Sequence, residues 1–194
     1  MKKLLFINAC VRPESRTYEL AQEVLKYWDG ETEEINLEQE NLQPLNHETL
    51  EKRNEAVAKR DFSDEMFRCA KAFAEADAVL LAAPYWDLSF PASVKTFIEA
   101  ITVTDLTFVY TPQGFPAGLC KAKKLIYVTT AGGSAQGMDF GYDYIKMMAQ
   151  GFYGIPEVLC IRAENLDIVG ADVEAIMTEA KKGIGETIWQ AQVR

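Results

Sequence analysis

An apolar run that ends in proline and two aromatic residues is the first feature of this chain that points to chemistry. Residues 78–83 are apolar, and Pro84, Tyr85 and Trp86 follow at once. A strand buried on both faces of a parallel sheet has such a continuous apolar run instead of a polar alternation. The pattern predicts a buried strand whose carboxyl end opens onto a flat ligand. The alternative is that Tyr85 and Trp86 only plug the end of the sheet.

A polar loop follows the first predicted strand, residues 3–9. It contains Arg12, Ser15, Arg16 and Thr17 but no glycine, so it lacks the G-x-G-x-x-G pattern with which a Rossmann fold binds NAD. Hydroxyls, a guanidinium and the free N–H groups of a following helix are what one terminal phosphate requires. The alternative is that Ser15 or Thr17 only caps the helix.

A third loop, residues 129–134, follows the predicted strand 124–129. Its adjacent Gly132 and Gly133 allow close backbone approach and leave N–H groups for an acceptor, although a tight turn explains them equally well. All three loops leave the carboxyl ends of core strands, where open α/β sheets bind ligands. Together they predict a mononucleotide site.

Strands and helices alternate along the whole chain, which predicts an α/β fold in one domain, residues 1–194. Further strands are predicted at 157–162 and, more weakly, at 33–37. The predicted helices cover residues 17–27, 63–75 with Ser63 as N-cap, 93–101, 142–152 and 173–189. The polar residues 38–62 are interpreted as a helical insertion, either solvated or acting as a lid or dimer-facing element.

Composition excludes several function classes. The net charge of -9 disfavours nucleic acid and anionic membranes as partners, and no apolar run is long enough for membrane insertion. The four cysteines are scattered without a C-x-x-C pair, which predicts free thiols, no metal site and a cytoplasmic protein. His47, the only histidine, lies in a polar segment, so most histidine-dependent mechanisms are not expected.

A competing motif is the Y-x-x-x-K spacing of Tyr142 and Lys146, which is similar to the catalytic pair of short-chain dehydrogenases. A helix often supplies this spacing by chance, and the glycine-rich loop of those enzymes is absent. We therefore expect no dehydrogenase site here, although Tyr142 and Tyr144 are candidates for the border of the cleft.

In order and spacing, the three loops resemble the FMN-dependent NADH:quinone oxidoreductases, the azoreductase family of flavodoxin-like proteins. The resemblance is strongest over residues 84–101, over the F-x-Y-T-x-x-G-like segment 107–114, and over 129–133. It implies a flavodoxin-like doubly wound sheet of five parallel strands in the order 2-1-3-4-5, with helices on both faces. It also implies non-covalent FMN and a homodimer with its active sites at the subunit interface.

Transferred by position, the resemblance assigns three groups of cofactor-binding residues. The FMN phosphate is expected at Ser15, Arg16 and Thr17, with Cys10 nearby. The flavin ring is expected against Pro84, Tyr85, Trp86, Asp87 and Leu88, and its pyrimidine edge against the backbone of Thr130, Ala131, Gly132 and Gly133. Asp87 stands where the family often has asparagine, which predicts a lower flavin reduction potential.

The implied activity is ping-pong hydride transfer from NADH or NADPH through FMN to a small aromatic acceptor such as a quinone or an azo compound. No catalytic side chain is expected, because the flavin carries the chemistry. The main alternative is a flavodoxin-like FMN electron carrier that passes single electrons to protein partners, a role that suits the net charge of -9. A flavin-free regulatory or interaction domain is a third possibility.

Overall fold

A computed structural model describes residues 1–135, 137–186 and 188–190. Its main sheet has five parallel strands: β1 (Lys3–Asn8), β2 (Glu31–Asn36), β3 (Ala78–Ala82), β6 (Lys124–Thr130) and β7 (Glu157–Ala163). Their order in the sheet is β2-β1-β3-β6-β7, and the last two are the fourth and fifth strands of this sheet in chain order. The predicted order 2-1-3-4-5 is therefore confirmed.

The central strands bury apolar side chains on both faces. In β1, Leu5 and Ile7 enter one core while Leu4 and Phe6 enter the other, as expected from the alternation of side chains along a strand. The edge strand β2 is mostly exposed and acidic, with only Ile35 fully buried. Charged edges of this kind oppose pairing with other chains.

Helices cover both faces of the sheet. They are α1 (Arg16–Leu25), α2 (His47–Lys59), α3 (Arg68–Glu75), α4 (Ala92–Ile101), α5 (Phe140–Met147) and α6 (Val173–Lys182). Helices α1 and α6 pack with one core, and α3, α4 and α5 with the other. A short 3-10 turn, Glu65–Phe67, precedes α3, and one π-helical turn, Met148–Phe152, extends α5.

Two predicted helix ends were wrong. The predicted helix 173–189 ends at Lys182, where Gly183 forms the C-cap; Thr187 lies outside the described residues. The following segment turns back onto the sheet, because the buried Lys124 Nζ donates to the Ile188 carbonyl at 2.9 Å and Trp189 Nε1 donates to the Val24 carbonyl at 3.1 Å. Helical spacing alone does not reveal these two anchors.

The predicted N-cap at Ser63 was also wrong. Asp64 performs that role by accepting a hydrogen bond from the Met66 N–H at 3.0 Å, and it opens the 3-10 turn before α3. The Ser63 hydroxyl instead donates to Asp61 at 2.6 Å. Asp64 was the better candidate because its carboxylate also favours the positive end of a helix.

Residues 38–62 contain α2, of which no residue is fully buried. Asn46 and Thr49 form a reciprocal capping box at its start. Arg53 Nη1 donates to the Glu99 carbonyl at 3.0 Å, and Lys52 pairs with Asp64 at 2.6 Å. Polar contacts therefore contribute to the attachment of α2 to α4 and to the segment before α3.

Strands β4 (Phe108–Tyr110) and β5 (Pro116–Gly118) form a separate antiparallel hairpin. Gly118 of this hairpin lies directly against the backbone of Tyr153 and Gly154. A Cβ at Gly118 would lie 2.1 Å from the Tyr153 carbonyl carbon, so only glycine allows this approach. Among the described residues, no helix combines the length and apolar character needed to cross a membrane.

We expect Gly118→Ala to lower the free energy of unfolding by about 1–3 kcal/mol, because the new Cβ would have to displace backbone rather than a flexible side chain. Thermal and urea unfolding followed by circular dichroism measures this change. Gly183→Ala is the matched control, since a Cβ there meets nothing within 4 Å. Equal stability of the two variants would contradict the close packing of the hairpin.

Candidate functional site

The carboxyl ends of β1, β3 and β6 meet at one edge of the sheet, and a cavity of about 310 Å³ opens there. Its volume is at the lower end of the ~300–1,000 Å³ usual for ligand pockets. The structure therefore brings the three loops singled out from the sequence to one cavity. Its lining consists of Cys10, Val11, Arg12, Glu14, Ser15, Arg16, Thr17, Pro84, Tyr85, Trp86, Thr130, Ala131, Gly132, Leu166 and Asp167.

The first loop ends in the N-terminus of α1. The Ser15 hydroxyl is the N-cap and accepts a hydrogen bond from the Tyr18 N–H at 3.2 Å, while Arg16 and Thr17 begin the helix. Ser15 therefore both caps α1 and lines the cavity, so the two roles considered for this residue do not exclude each other. The positive end of the α1 dipole and the Arg16 guanidinium favour an anion at this end of the cavity.

Direct hydrogen bonds connect the loops. Thr17 Oγ1 and Thr130 Oγ1 share a hydrogen bond of 2.6 Å between the first and third loops, and Thr17 is buried. The Tyr85 N–H donates to the Thr130 carbonyl at 2.9 Å and joins the second loop to the third. These bonds hold the cavity in shape without a ligand.

The second loop forms a tight turn that was not predicted from the sequence. Trp86 and Ser89 exchange backbone hydrogen bonds of 3.1 and 2.8 Å, and the two residues between them, Asp87 and Leu88, have φ angles of 51° and 65°. Such a turn normally carries Asn-Gly, and a branched side chain in the left-handed region costs about 1–2 kcal/mol. Asp87 and Leu88 are exposed and lie outside the cavity lining.

The aromatic residues of the second loop do not plug the sheet. Tyr85 and Trp86 line the cavity, and the Tyr85 hydroxyl donates to the Met138 carbonyl at 2.8 Å. The Phe140 N–H in turn donates to the Leu88 carbonyl at 3.1 Å. The start of α5 is therefore bonded to this loop at two points.

The third loop offers fewer free amides than its sequence suggested. The Ala131 N–H donates to the Ala163 carbonyl at 2.9 Å, so it is not available to a ligand and the expectation for this amide was wrong. Gly132 lines the cavity, whereas Gly133 is exposed and lies outside the lining. A Cβ on Gly132 would lie 2.4 Å from Asp167 Oδ2, and this position therefore depends on glycine while Asp167 stays in place.

Five lining residues were not among the cofactor-binding residues assigned from the sequence, although Arg12 had been noted as a charge in the first loop: Val11, Arg12, Glu14, Leu166 and Asp167. Leu166 and Asp167 follow β7, whose carboxyl end lies at the same edge of the sheet as the other three. That topological argument, applied to the last strand as well, would have found them.

The Cys10 thiol lies at the base of the first loop and is nearly buried, with 9% of the residue exposed. Burial raises the pKa of Cys10, and its hydrogen bond with Ser15 offsets part of that rise. The thiol is therefore protonated at neutral pH and brings no negative charge to the anion-favouring end of the cavity.

The Y-x-x-x-K motif is structural, and the suggestion that Tyr142 or Tyr144 borders the cleft was wrong. The Tyr142 hydroxyl donates to the Val158 carbonyl at 3.3 Å, and its ring stacks on the buried Tyr127. Neither tyrosine lines the cavity. Tyr142 thus packs α5 against the sheet, while Lys146 is exposed.

Comparison with known proteins shows the same fold and identifies the family. A family model described as flavodoxin-like fold matches residues 2–188. The FMN-dependent NADH:quinone oxidoreductase of Lachnoclostridium phytofermentans is 36% identical, with 95% of this chain and 97% of that protein covered. FMN-dependent NADH:quinone oxidoreductase 2 of Clostridium acetobutylicum is 35% identical, with 91% and 93% covered.

Solved structures of related proteins have the same fold. The azoreductase from Bacillus anthracis str. Sterne superposes with a TM-score of 0.80 at 25% identity, covering 95% of this chain and 97% of that one. The FMN complex of an FMN-dependent NADH-azoreductase from Bacillus anthracis str. Ames Ancestor also has a TM-score of 0.80, at 21% identity over 95% and 96% of the chains, and supports the fold. The chain therefore belongs to the flavodoxin-like fold family and, within it, to the family of FMN-dependent NADH:quinone oxidoreductases.

Proposed function

We propose that this protein is an FMN-dependent NAD(P)H oxidoreductase that reduces quinones, azo compounds or related aromatic acceptors by a ping-pong mechanism. The single observation that carries the proposal is the cavity at which hydroxyls and an arginine, two aromatic rings and a bare glycine meet. The names of the relatives support the cofactor and the donor, and those of the azoreductases support aromatic acceptors.

The residues present fit FMN. Ser15, Arg16 and the α1 N-terminus suit its phosphate, because they offer a hydroxyl, a guanidinium and free backbone N–H groups. Thr17 braces this end through Thr130, and the neutral Cys10 thiol adds no repulsion. We assign the remaining contacts to two sets. The flavin ring is assigned to Pro84, Tyr85, Trp86, Asp87 and Leu88, and its pyrimidine edge to Thr130, Ala131, Gly132 and Gly133, with Ala131 contributing no amide.

The chemistry that bound FMN supplies is hydride acceptance from NADH or NADPH and electron delivery to the acceptor in a second half-reaction. The protein contributes binding, orientation and electrostatics. The polar end of the cavity fixes the phosphate, and the rings of Tyr85 and Trp86 limit where a flat group can lie. Because loop-to-loop hydrogen bonds preform the cavity, little ordering is needed when a ligand enters.

A homodimer with active sites at the interface is part of the proposal. Beside the exposed loop 86–88, α5 carries Phe140 and Met147, which are 62% and 69% exposed, and the hairpin tip carries Phe115, which is 70% exposed. Contiguous exposed apolar side chains mark interaction surfaces, and we assign these three residues to one such surface. A second copy seated there would lie beside the loop that carries Tyr85 and Trp86 of the cavity lining.

A cytoplasmic location is also part of the proposal. All four cysteines are free thiols, and three of them are buried. Reduced thiols suit a reducing compartment.

The cofactor and the reaction class are tested together by one absorbance experiment. Purified protein is incubated with FMN, desalted and mixed first with NADH and then with a quinone, beside a matched solution of free FMN. We expect the yellow colour to survive desalting, to bleach with NADH faster than in free FMN, and to return with the quinone. Colourless protein would contradict FMN binding, and a retained colour that NADH does not bleach would favour an electron carrier.

The dimer is tested with Phe115→Asp, which places a charge on the exposed tip of the hairpin. We expect the native protein to have the mass of a dimer in light scattering and the variant to shift towards the monomer, because burying an unpaired carboxylate is costly. Val169→Asp, which changes a fully exposed residue on the loop after β7, is the control. Monomeric native protein would exclude the interface.

A further inference from the structure

Asp167 holds the arginine of the proposed phosphate site. Arg16 Nη1 donates to Asp167 Oδ1 at 2.9 Å and also to the Leu166 carbonyl at 3.3 Å. Both partners belong to the loop after β7, and all three residues line the cavity. The carboxylate thus binds the same guanidinium that an incoming phosphate needs.

The second oxygen of this carboxylate lies at the glycine of the third loop. A Cβ built on Gly132 would be 2.4 Å from Asp167 Oδ2, so the carboxylate occupies the space that the missing side chain leaves. The Asp167 carboxylate therefore extends from the Arg16 guanidinium to the Cα of Gly132. It is a negative charge that the protein itself places at the cavity. The ion pair is exposed, with 40% and 68% of the two side chains accessible, so it is weak enough to be exchanged.

The formal charges of the cavity lining determine how strongly the Asp167 carboxylate affects phosphate binding. Arg12 and Arg16 are the basic residues of the cavity, and Glu14 and Asp167 are the acidic ones, so the formal charges cancel. A phosphate dianion therefore enters a neutral lining rather than a positive one, with a carboxylate beside its arginine. Repulsion between the Asp167 carboxylate and the phosphate lowers the affinity for a phosphorylated ligand. A ligand without a phosphate does not experience this repulsion.

We propose that Asp167 sets the selectivity of this site between phosphorylated and unphosphorylated flavin, by competing with the phosphate for Arg16. The inference rests on the proposed function, because it assumes that FMN binds in this cavity. Removing the carboxylate does not release the guanidinium, since the Leu166 carbonyl still holds it. Loss of the competing charge is therefore the dominant effect.

The test compares FMN and riboflavin, which differ only by the phosphate. Flavin-free protein is titrated with each at low salt, and flavin fluorescence quenching gives the dissociation constant. We expect Asp167→Asn to bind FMN about tenfold more tightly and riboflavin with unchanged affinity, with the FMN gain shrinking at high salt. Asp105→Asn is the matched control, because it removes the same charge from an ion pair with Arg60 outside the cavity lining.

Each outcome separates the two claims. Unchanged or weaker FMN binding by Asp167→Asn would overturn the inference while leaving the proposed function intact, and weaker binding would mean that Asp167 positions Arg16 instead. An equal gain for FMN and riboflavin would also overturn it. Failure of the native protein and of Asp167→Asn to bind FMN at all would defeat the proposed function itself. Asp167→Ser provides a second neutral variant, and thermal unfolding checks that each variant is folded.

Discussion

Parallel pairing of β1 with β3 and of β3 with β6 is the constraint on which the site depends. The register aligns Asn8 with Ala82 and Ala82 with Val128, so the residues that follow these strands emerge side by side. A one-residue slip in either pairing would reverse which face each side chain enters. The buried runs on both faces hold that register, and they thereby position a phosphate-suited helix end, an aromatic loop and a glycine beside one another.

The loops do not rely on the strands alone. The hydrogen bond between Thr17 and Thr130 and the backbone bond from Tyr85 to Thr130 join the three loops at one residue of β6. Asp139 caps α5 and pairs with Arg162 of β7 at 2.6 Å, next to the residues that hold the second loop. The geometry of the cavity is therefore a property of the folded chain, and a flat ligand can bind without reorganising it.

Sequence patterns predicted most of the fold and the position of the cavity. The apolar runs identified four strands of the main sheet, while the acidic edge strand β2 was only weakly predicted because most of its side chains are exposed, and the resemblance supplied the strand order. The predictions that failed depended on contacts between residues far apart in the sequence. Only the buried Lys124 and Trp189 explain why the last helix stops early, and only the Ala163 carbonyl explains why Ala131 has no free amide.

Two features near the cavity were outside the reach of local patterns. The left-handed turn at Asp87 and Leu88 has a leucine where such turns usually carry glycine, so propensity argued against it. Asp167 is far from Arg16 in sequence and meets it only because β7 ends at the same edge of the sheet. Predictions from local sequence propensity fail beside the proposed site, and such failures are common at functional sites.

The central claim is that one FMN molecule lies among the three loops, and a crystal structure of the protein with FMN tests it most directly. The account predicts the phosphate within hydrogen-bonding distance of Ser15 and the Arg16 guanidinium, with the ring along residues 84–88 and one edge at Gly132. An FMN molecule bound elsewhere, or one whose phosphate lies away from both Ser15 and Arg16, would contradict it.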